Sequence, residues 1–471
     1  MAADLARAAP GFGGAIRITG TRVEILNPAA LESDQMDQLV FAAVFGSAAE
    51  RDDARGLLWA IGQEVGARPA SIHDLYVARG EGLCGGFTVP AINVRMMAYD
   101  TARAVFRAAK GCDGAAILLE IARSEIAYTD QRPAEYVAVM IGAALREGYH
   151  HPLFIQGDHC QVNVKKYQAD AAAEIGEVKK LIAEEIASGF FNVDVDTSTL
   201  VDLSFPTLDE QQRANYERAA EITQFIRDRE PAGITVSVGA EIGEVGQKNS
   251  TVDELNAFMQ GFERTLDGLG TYAGISKISV QTGTSHGGVV LPDGSIADVK
   301  LDLVALEALS KVAREEYGLA GAVQHGASTL PSNAFGNFSR IETAEIHLAT
   351  NFQNMIFDHP ALPAELRQRM YRWLDENAQS ERKSTDSDEQ FYYKARKKAI
   401  GPFKRDVWSL PAAVRQQIGA DLEKTFAFLF TQLQVTGTAQ TVLRLVDAPR
   451  IGHGVLAHSG ILAEDDPDAG E

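Results

Sequence analysis

LFIQGDHC, residues 153–160, is an apolar run that ends in an aspartate and a histidine side by side. LFIQ has the character of a short buried strand. Asp158 and His159, which follow Gly157, can move a proton or bind a metal. The design recurs. ITVSVGAE (234–241) ends on Glu241, KISVQT (277–282) runs on through GTSHGG to His286, and GAVQ (321–324) is followed by His325. Imidazoles and a carboxylate gathered at one rim are how a catalytic divalent-metal site is written into a barrel. Three imidazoles with an open coordination position suit zinc acting as a Lewis acid.

Outward from these runs the pattern is regular. FTVPAIN (87–93), AAILLE (115–120), LFIQ (153–156), FNVDVD (191–196), ITVSVGAE, KISVQT, GAVQ and AEIHLA (344–349) alternate with amphipathic stretches such as AYDTARAVFRAAK and VDELNAFMQGFERTL. Short apolar runs separated by helical patterns indicate βα units and a parallel sheet. Eight of them predict an α/β fold, a (β/α)8 TIM barrel over residues 68–365, with the active site just past the strand ends. Residues 1–67 form an N-terminal extension holding a β-like piece (AIRITGTRVEIL) and a helical stretch. Residues 366–460 form a helical, charged C-terminal extension suited to homo-oligomer contacts, and 461–471 an acidic tail.

The formal net charge of -20 excludes nucleic acid and anionic membranes as partners. A phosphorylated small substrate stays open, because a few local N–H groups and cations hold a phosphate on an acidic protein. Three widely spaced cysteines, Cys84, Cys112 and Cys160, give neither a disulfide framework nor a CxxC zinc site, which fits a reducing cytoplasm. The start, MAADLARAAPGFGG, is a poor signal peptide, and no apolar run is long enough to span a bilayer.

Past the end of a strand, neighbouring side chains can both aim at the pocket. His159 is then a metal ligand and Asp158 a proton shuttle, with an ordinary polar pair at a loop start as the alternative. In AEIGEVG (240–246), Glu241 is a ligand or base, and a surface role suits Glu244 better. Asp196 ends its run beside the inward-facing Asp194, and one of the two is a candidate alternate ligand. The seventh and eighth loops of such barrels often bind phosphate, so Gly287, Gly326, Ser328 and Thr350 are candidates, although each glycine alone suits a tight loop. His347 lies inside the eighth run, within reach of the pocket. His73, His150, His151, His359, His453 and His458 lack a strand-end context and read as surface or structural.

These motifs, in this order, resemble class II (zinc-dependent) fructose-bisphosphate aldolases and the related tagatose-bisphosphate aldolases, from about residue 70 to 355. IHDLYVARGEGLCGGFTVPAINV is similar to the family's opening helix and first strand. IQGDHC resembles its metal-and-acid motif, and EIGEVG, GTSHGG, QHGAS and IHLAT resemble its later signatures. The resemblance implies zinc held by His159, His286 and His325, with Glu241 and Asp196 as nearby carboxylate ligands. It implies Asp158 as the group that moves the hydroxyl proton and Asn93 as a hydrogen-bonding partner of substrate hydroxyls. Gly287, Gly326, Ser328 and Thr350 would hold the phosphate, with a potassium or sodium ion near it. The implied reaction is cleavage of the C3–C4 bond of a ketose phosphate, most simply fructose 1,6-bisphosphate to dihydroxyacetone phosphate and glyceraldehyde 3-phosphate. Zinc would spread the resulting charge into an enediolate, and the setting would be glycolysis or related carbohydrate metabolism.

The sequence departs from the family at five positions, one of them Ala349, where many members have an acidic residue. The mobile-loop glutamate expected eight residues after Glu241 is Asn249, leaving Glu244, Asp253 or Glu254 as substitutes. Val290 stands where a lysine is usual, which leaves Lys248 or Arg396 for the phosphate. Ala122 replaces a serine near the second strand's end. His347 replaces an asparagine in the eighth. Three alternatives follow: an aldolase for another ketose phosphate or carbonyl donor, a non-catalytic aldolase-like partner subunit, and a zinc hydrolase, which the lack of an HxH pair after the first strand disfavours.

Overall fold

The computed structural model describes residues 4–243, 248–283, 291 and 301–452. Each of the eight runs is a strand in it: β1 (Val89–Asn93), β2 (Leu118–Ala122), β3 (Leu153–Gln161), β4 (Asn192–Asp196), β5 (Ser237–Glu241), β6 (Lys277–Val280), β7 (Ala322–Gln324) and β8 (Glu345–Leu348). Each pairs in parallel with its neighbours in sequence, and β8 closes on β1 with His347 opposite Ala91. The sheet is a closed eight-stranded parallel barrel, as the alternation of runs predicts.

Helices wrap the barrel because their apolar residues recur on one face. In Ala98–Gly111, Ala98, Ala102, Val105, Phe106 and Ala109 are buried, a stripe at helical spacing. Val252–Leu269 begins with a capping box, in which Thr251 accepts from the Glu254 backbone N–H and Glu254 returns a carboxylate to the Thr251 N–H.

Alternation within the strands divides the barrel wall into two faces. In β4, Val193 and Val195 join the core shared with the helices, whereas Asp194 and Asp196 turn to the barrel axis. A separate apolar cluster fills the end from which the strands start. It holds Val89 and Ala91 of β1, Leu118 of β2, Phe154 of β3, and Leu75 and Tyr76 from the helix His73–Gly80. Fully burying one such Leu, Val or Phe contributes about 1.5–3 kcal/mol.

Two features exceed the sequence expectation. β3 continues to Gln161 instead of stopping at 156, and its register against β4 shifts between Gly157 and Cys160. A short strand, Pro69–Ala70, also adds beside the start of β3. The N-terminal segment carries the hairpin Ile16–Thr19/Arg22–Ile25 and the helices Asp34–Phe45 and Ala48–Val65, whose Leu57, Leu58 and Ile61 join the main core. In the C-terminal segment, the helix Ala412–Gln432 lies on Ala98–Gly111 through Arg107–Glu423 (2.5 Å) and Arg415–Asp100 (3.1 Å) ion pairs. The two extensions meet where the Trp59 indole donates to the Ile451 carbonyl at 3.1 Å. No described helix is long and apolar enough to cross a membrane.

Gly239 makes room inside the barrel. A Cβ there would lie 2.3 Å from Asp194 Oδ1 and 2.8 Å from Lys277 Cε. Gly239→Ala is therefore expected to lose about 1–3 kcal/mol in chemical denaturation. Gly176→Ala, on the helix Ala171–Ser188 with nothing within 4 Å of the added Cβ, should gain up to about 1 kcal/mol.

Candidate active site

The β3 irregularity builds the centre of the site. His159 takes a positive φ of 44°, a strained backbone for a non-glycine residue. The bulge beside it re-aims the strand. Asp158 and His159 therefore both face the barrel axis from within a strand; the expectation that they do so past its end is corrected.

His159 lies against two carboxylates, its Nδ1 3.4 Å from Asp196 Oδ2 and 3.6 Å from Glu241 Oε2. Its ring is 4.2 Å, centroid to centroid, from that of His325. His325 in turn lies 3.9 Å from the ring of His347 and bonds Ser279 Oγ through Nε2 at 3.0 Å. Asp196 is fixed by the Ser198 N–H (3.0 Å) and hydroxyl (2.7 Å).

Asp158 is held at both oxygens. Asn93 Nδ2 donates to Oδ2 at 2.9 Å, and His347 Nδ1 lies 3.1 Å from Oδ1. Asn93 also donates to Glu125 at 2.9 Å, and Glu125 accepts from Arg95 Nε at 2.5 Å. On the other side, His347 Nε2 lies 2.7 Å from Glu345 Oε1. Glu345 accepts from the Lys277 ammonium at 2.6 Å, from Gln156 at 3.0 Å and from the Tyr76 hydroxyl. Lys277 further pairs with Asp194 at 2.9 Å. A chain of hydrogen bonds and ion pairs thus runs from Arg95 through Glu125, Asn93, Asp158, His347 and Glu345 to Lys277.

The electrostatics follow from that order. Burial works against an ionised Asp158, yet His159 and His347 hold it well below the usual carboxylate range. Burial also opposes a charged Glu345, and Lys277 and His347 override it, bringing Glu345 down to about 2. Glu120, 3.1 Å from His347 Nδ1, is pushed up to about 8 by burial and then by Asp158. Burial and then Asp196 likewise push Glu241 up to about 8. Burial disfavours a charged His159, but Asp158, Asp196 and Glu241 raise it to about 10.

This donor set fits a divalent cation. His159, Glu241 and His325 each offer one atom within 4.8 Å of the others. Mixed nitrogen and oxygen donors around a negative pocket are what zinc takes. Asp158, His325 and His347 form an overlapping group. In a third, of Glu120, Asp194, Glu345 and His347, Asp194 and Glu345 already pair with the Lys277 ammonium, which takes the place of a cation there.

The other sequence candidates divide clearly. His286, Gly287 and Glu244 lie outside the described residues, as do Val290, His453 and His458. Gly326 has φ 67° at the start of the turn Ala327–Thr329, and Ser328 Oγ accepts from the Ala349 N–H at 2.5 Å. That bond joins the seventh loop to Ala349, which directly precedes Thr350, the first residue of the helix Thr350–Phe357. Asn249 is turned to Asp302, donating at 2.9 Å. Glu254 is used in its helix cap and pairs with Lys248 at 3.1 Å. Arg396 pairs with Asp358 at 2.8 Å and lies over the Phe357 and Tyr393 rings. The sequence reading missed Lys277, Glu345, Glu120, Gln156 and Arg95. Each of the first four is a polar residue inside a run otherwise fit for burial, a signal the apolar-run criterion passes over.

The fold and site together are a closed parallel barrel with a histidine–carboxylate cluster at its axis whose donors could hold a metal ion. The chain belongs to the fructose-bisphosphate aldolase class-II family, whose model matches residues 83–405. An aldolase-type or related activity goes with that family, which is generally metal-dependent. No curated protein matches the chain. Among solved structures, a probable tagatose 6 phosphate kinase from Sinorhizobium meliloti 1021 is 15% identical with a TM-score of 0.52, over 75% of this chain and 100% of that one, and shares the fold. A fructose-bisphosphate aldolase from Campylobacter jejuni is 18% identical (TM-score 0.46; 80% and 95% covered). A fructuronate-tagaturonate epimerase from Cohnella laeviribosi is 13% identical (TM-score 0.48; 94% and 99% covered).

Removing one donor should show directly in metal content. His159→Ala and His325→Ala are each expected to weaken zinc binding by more than the about 10–100-fold typical of losing an outer partner. Competition titration against a chromophoric chelator measures this; unchanged affinity in both variants would place the ion elsewhere.

Proposed function

We propose that the protein is a zinc-dependent aldolase that cleaves and forms the C3–C4 bond of a ketose phosphate, with fructose 1,6-bisphosphate as the first substrate to test. The observation that carries the reading is Asp158, buried and held at both oxygens beside the imidazole pair His159 and His325. His159, His286 and His325, with Glu241 as a nearby carboxylate, would hold a zinc ion, which when bound would supply the electron sink that carbon–carbon cleavage next to a carbonyl requires.

The remaining work belongs to the side chains. Asp158, ionised, takes the proton of the C4 hydroxyl as the bond breaks and returns it in the reverse direction. Asn93 fixes Asp158 and offers its amide to substrate hydroxyls. The Ser328–Ala349 junction, with Gly326 and Thr350, receives the phosphate of the ketone fragment, and Gly287 with a potassium or sodium ion is assigned to the same place. Asp196 orients His159 and is an alternate ligand. Glu244 is assigned to the carbon-bound proton.

A second reading, the same chemistry on a different aldol adduct, is favoured by a specific observation. Asn249, at the family's glutamate position, donates to Asp302, and among the residues open as substitutes Glu254 pairs with Lys248 and Arg396 with Asp358.

Asp158→Asn is expected to lower kcat by about 10²–10⁴-fold, and full removal of bound metal should abolish turnover. A coupled assay of fructose 1,6-bisphosphate cleavage measures both. Activity that survives metal removal contradicts the mechanism, and dominant turnover of another aldol adduct selects the second reading.

A further inference from the structure

We propose that Lys277, acting through Glu345 and His347, is a positioning residue that sets the place of the Asp158 carboxylate. The proposal rests on the reading of Asp158 as the proton-moving group.

The ammonium of Lys277 is fully buried, and its three N–H donors have three acceptors: Gln156 Oε1 at 2.8 Å, Asp194 Oδ2 at 3.1 Å and Glu345 Oε1 at 2.6 Å. Glu345 is also held by Gln156 Nε2 and the Tyr76 hydroxyl. It has little freedom to turn. Glu345 and His347 lie two residues apart on β8 and so share the inward face. His347 is bonded at both ends of its ring, to Glu345 on one side and to Asp158 on the other. An imidazole tied at both nitrogens cannot rotate without breaking one bond. The position of Asp158 Oδ1 is therefore transmitted from Lys277 through two rigid links.

The alternative is that the network merely fills space. A barrel interior is ordinarily filled by Val, Ile and Leu, and replacing a buried ion pair by packed apolar groups is often neutral or stabilising. An ionic layer is thus an expensive filler. It is a good template for a side chain that must be placed to within a fraction of an ångström.

The test is a double-mutant cycle in the zinc-loaded full-length protein with fructose 1,6-bisphosphate, joined to crystal structures of the single variants. Glu345→Gln keeps the shape of the link and weakens its hold on His347; Lys277→Met removes the anchor. Each is expected to lower kcat about 10–100-fold with KM changed less than about threefold. In an Asp158→Asn background each should cost almost nothing further, because the group being positioned is already gone. Equal losses in both backgrounds, or variant crystals in which the Asp158 carboxylate and His347 ring have not moved, overturn the proposal. If Lys277→Met does not fold, Glu345→Gln decides alone. Wild-type protein inactive on this substrate, or Asp158→Asn with full activity, counts against the functional reading, and the crystal structures still decide the positional claim.

Discussion

A lysine ammonium with no exposure to water, enclosed by Asp194, Glu345 and Gln156, is the constraint on which the interior depends. An unpaired charge in that place would be untenable, so the carboxylates must converge on it. They come from β4 and β8, on different sides of the barrel, and the pairing therefore helps tie the closed sheet together. Gly239 on β5 leaves the space the ion pair occupies. Above this layer, His347 hands the order on to Asp158, and the imidazoles of His159 and His325 complete the site.

The barrel divides by height. The end from which the strands start is apolar and plugged by Leu75 and Tyr76. The middle is ionic. The end where the strands finish carries the histidines, with Asp196 and Glu241. Chemistry placed at that end of such barrels draws residues from several strands at once. Here β1 gives Asn93, β3 gives Asp158 and His159, β4 gives Asp196, β5 gives Glu241, and β8 gives His347.

Much of this was legible in the amino-acid order. The eight runs were readable because β-branched and aromatic residues mark buried strands between helical stretches, and His159, Glu241 and His325 stood out at the ends of those runs. The β3 bulge was not legible, since LFIQGDHCQ reads equally well as a strand ending at Gln156, and only pairing with β4 reveals the register shift. The ionic layer was hidden for a different reason. Lys277, Glu120 and Glu345 sit singly in runs whose other members are apolar, and a charge at a strand edge ordinarily faces water. Only closure of the sheet shows that they share one interior. The fates of Asn249, Glu254 and Arg396 likewise depend on partners distant in sequence, Asp302, Lys248 and Asp358.

The most direct measurement is anomalous diffraction at the zinc edge from crystals of the zinc-loaded protein. A peak is expected between His159, Glu241 and His325, with Asp158 still bridging Asn93 and His347 beside it. A peak among Glu120, Asp194 and Glu345, with the Lys277 ammonium displaced, would contradict it.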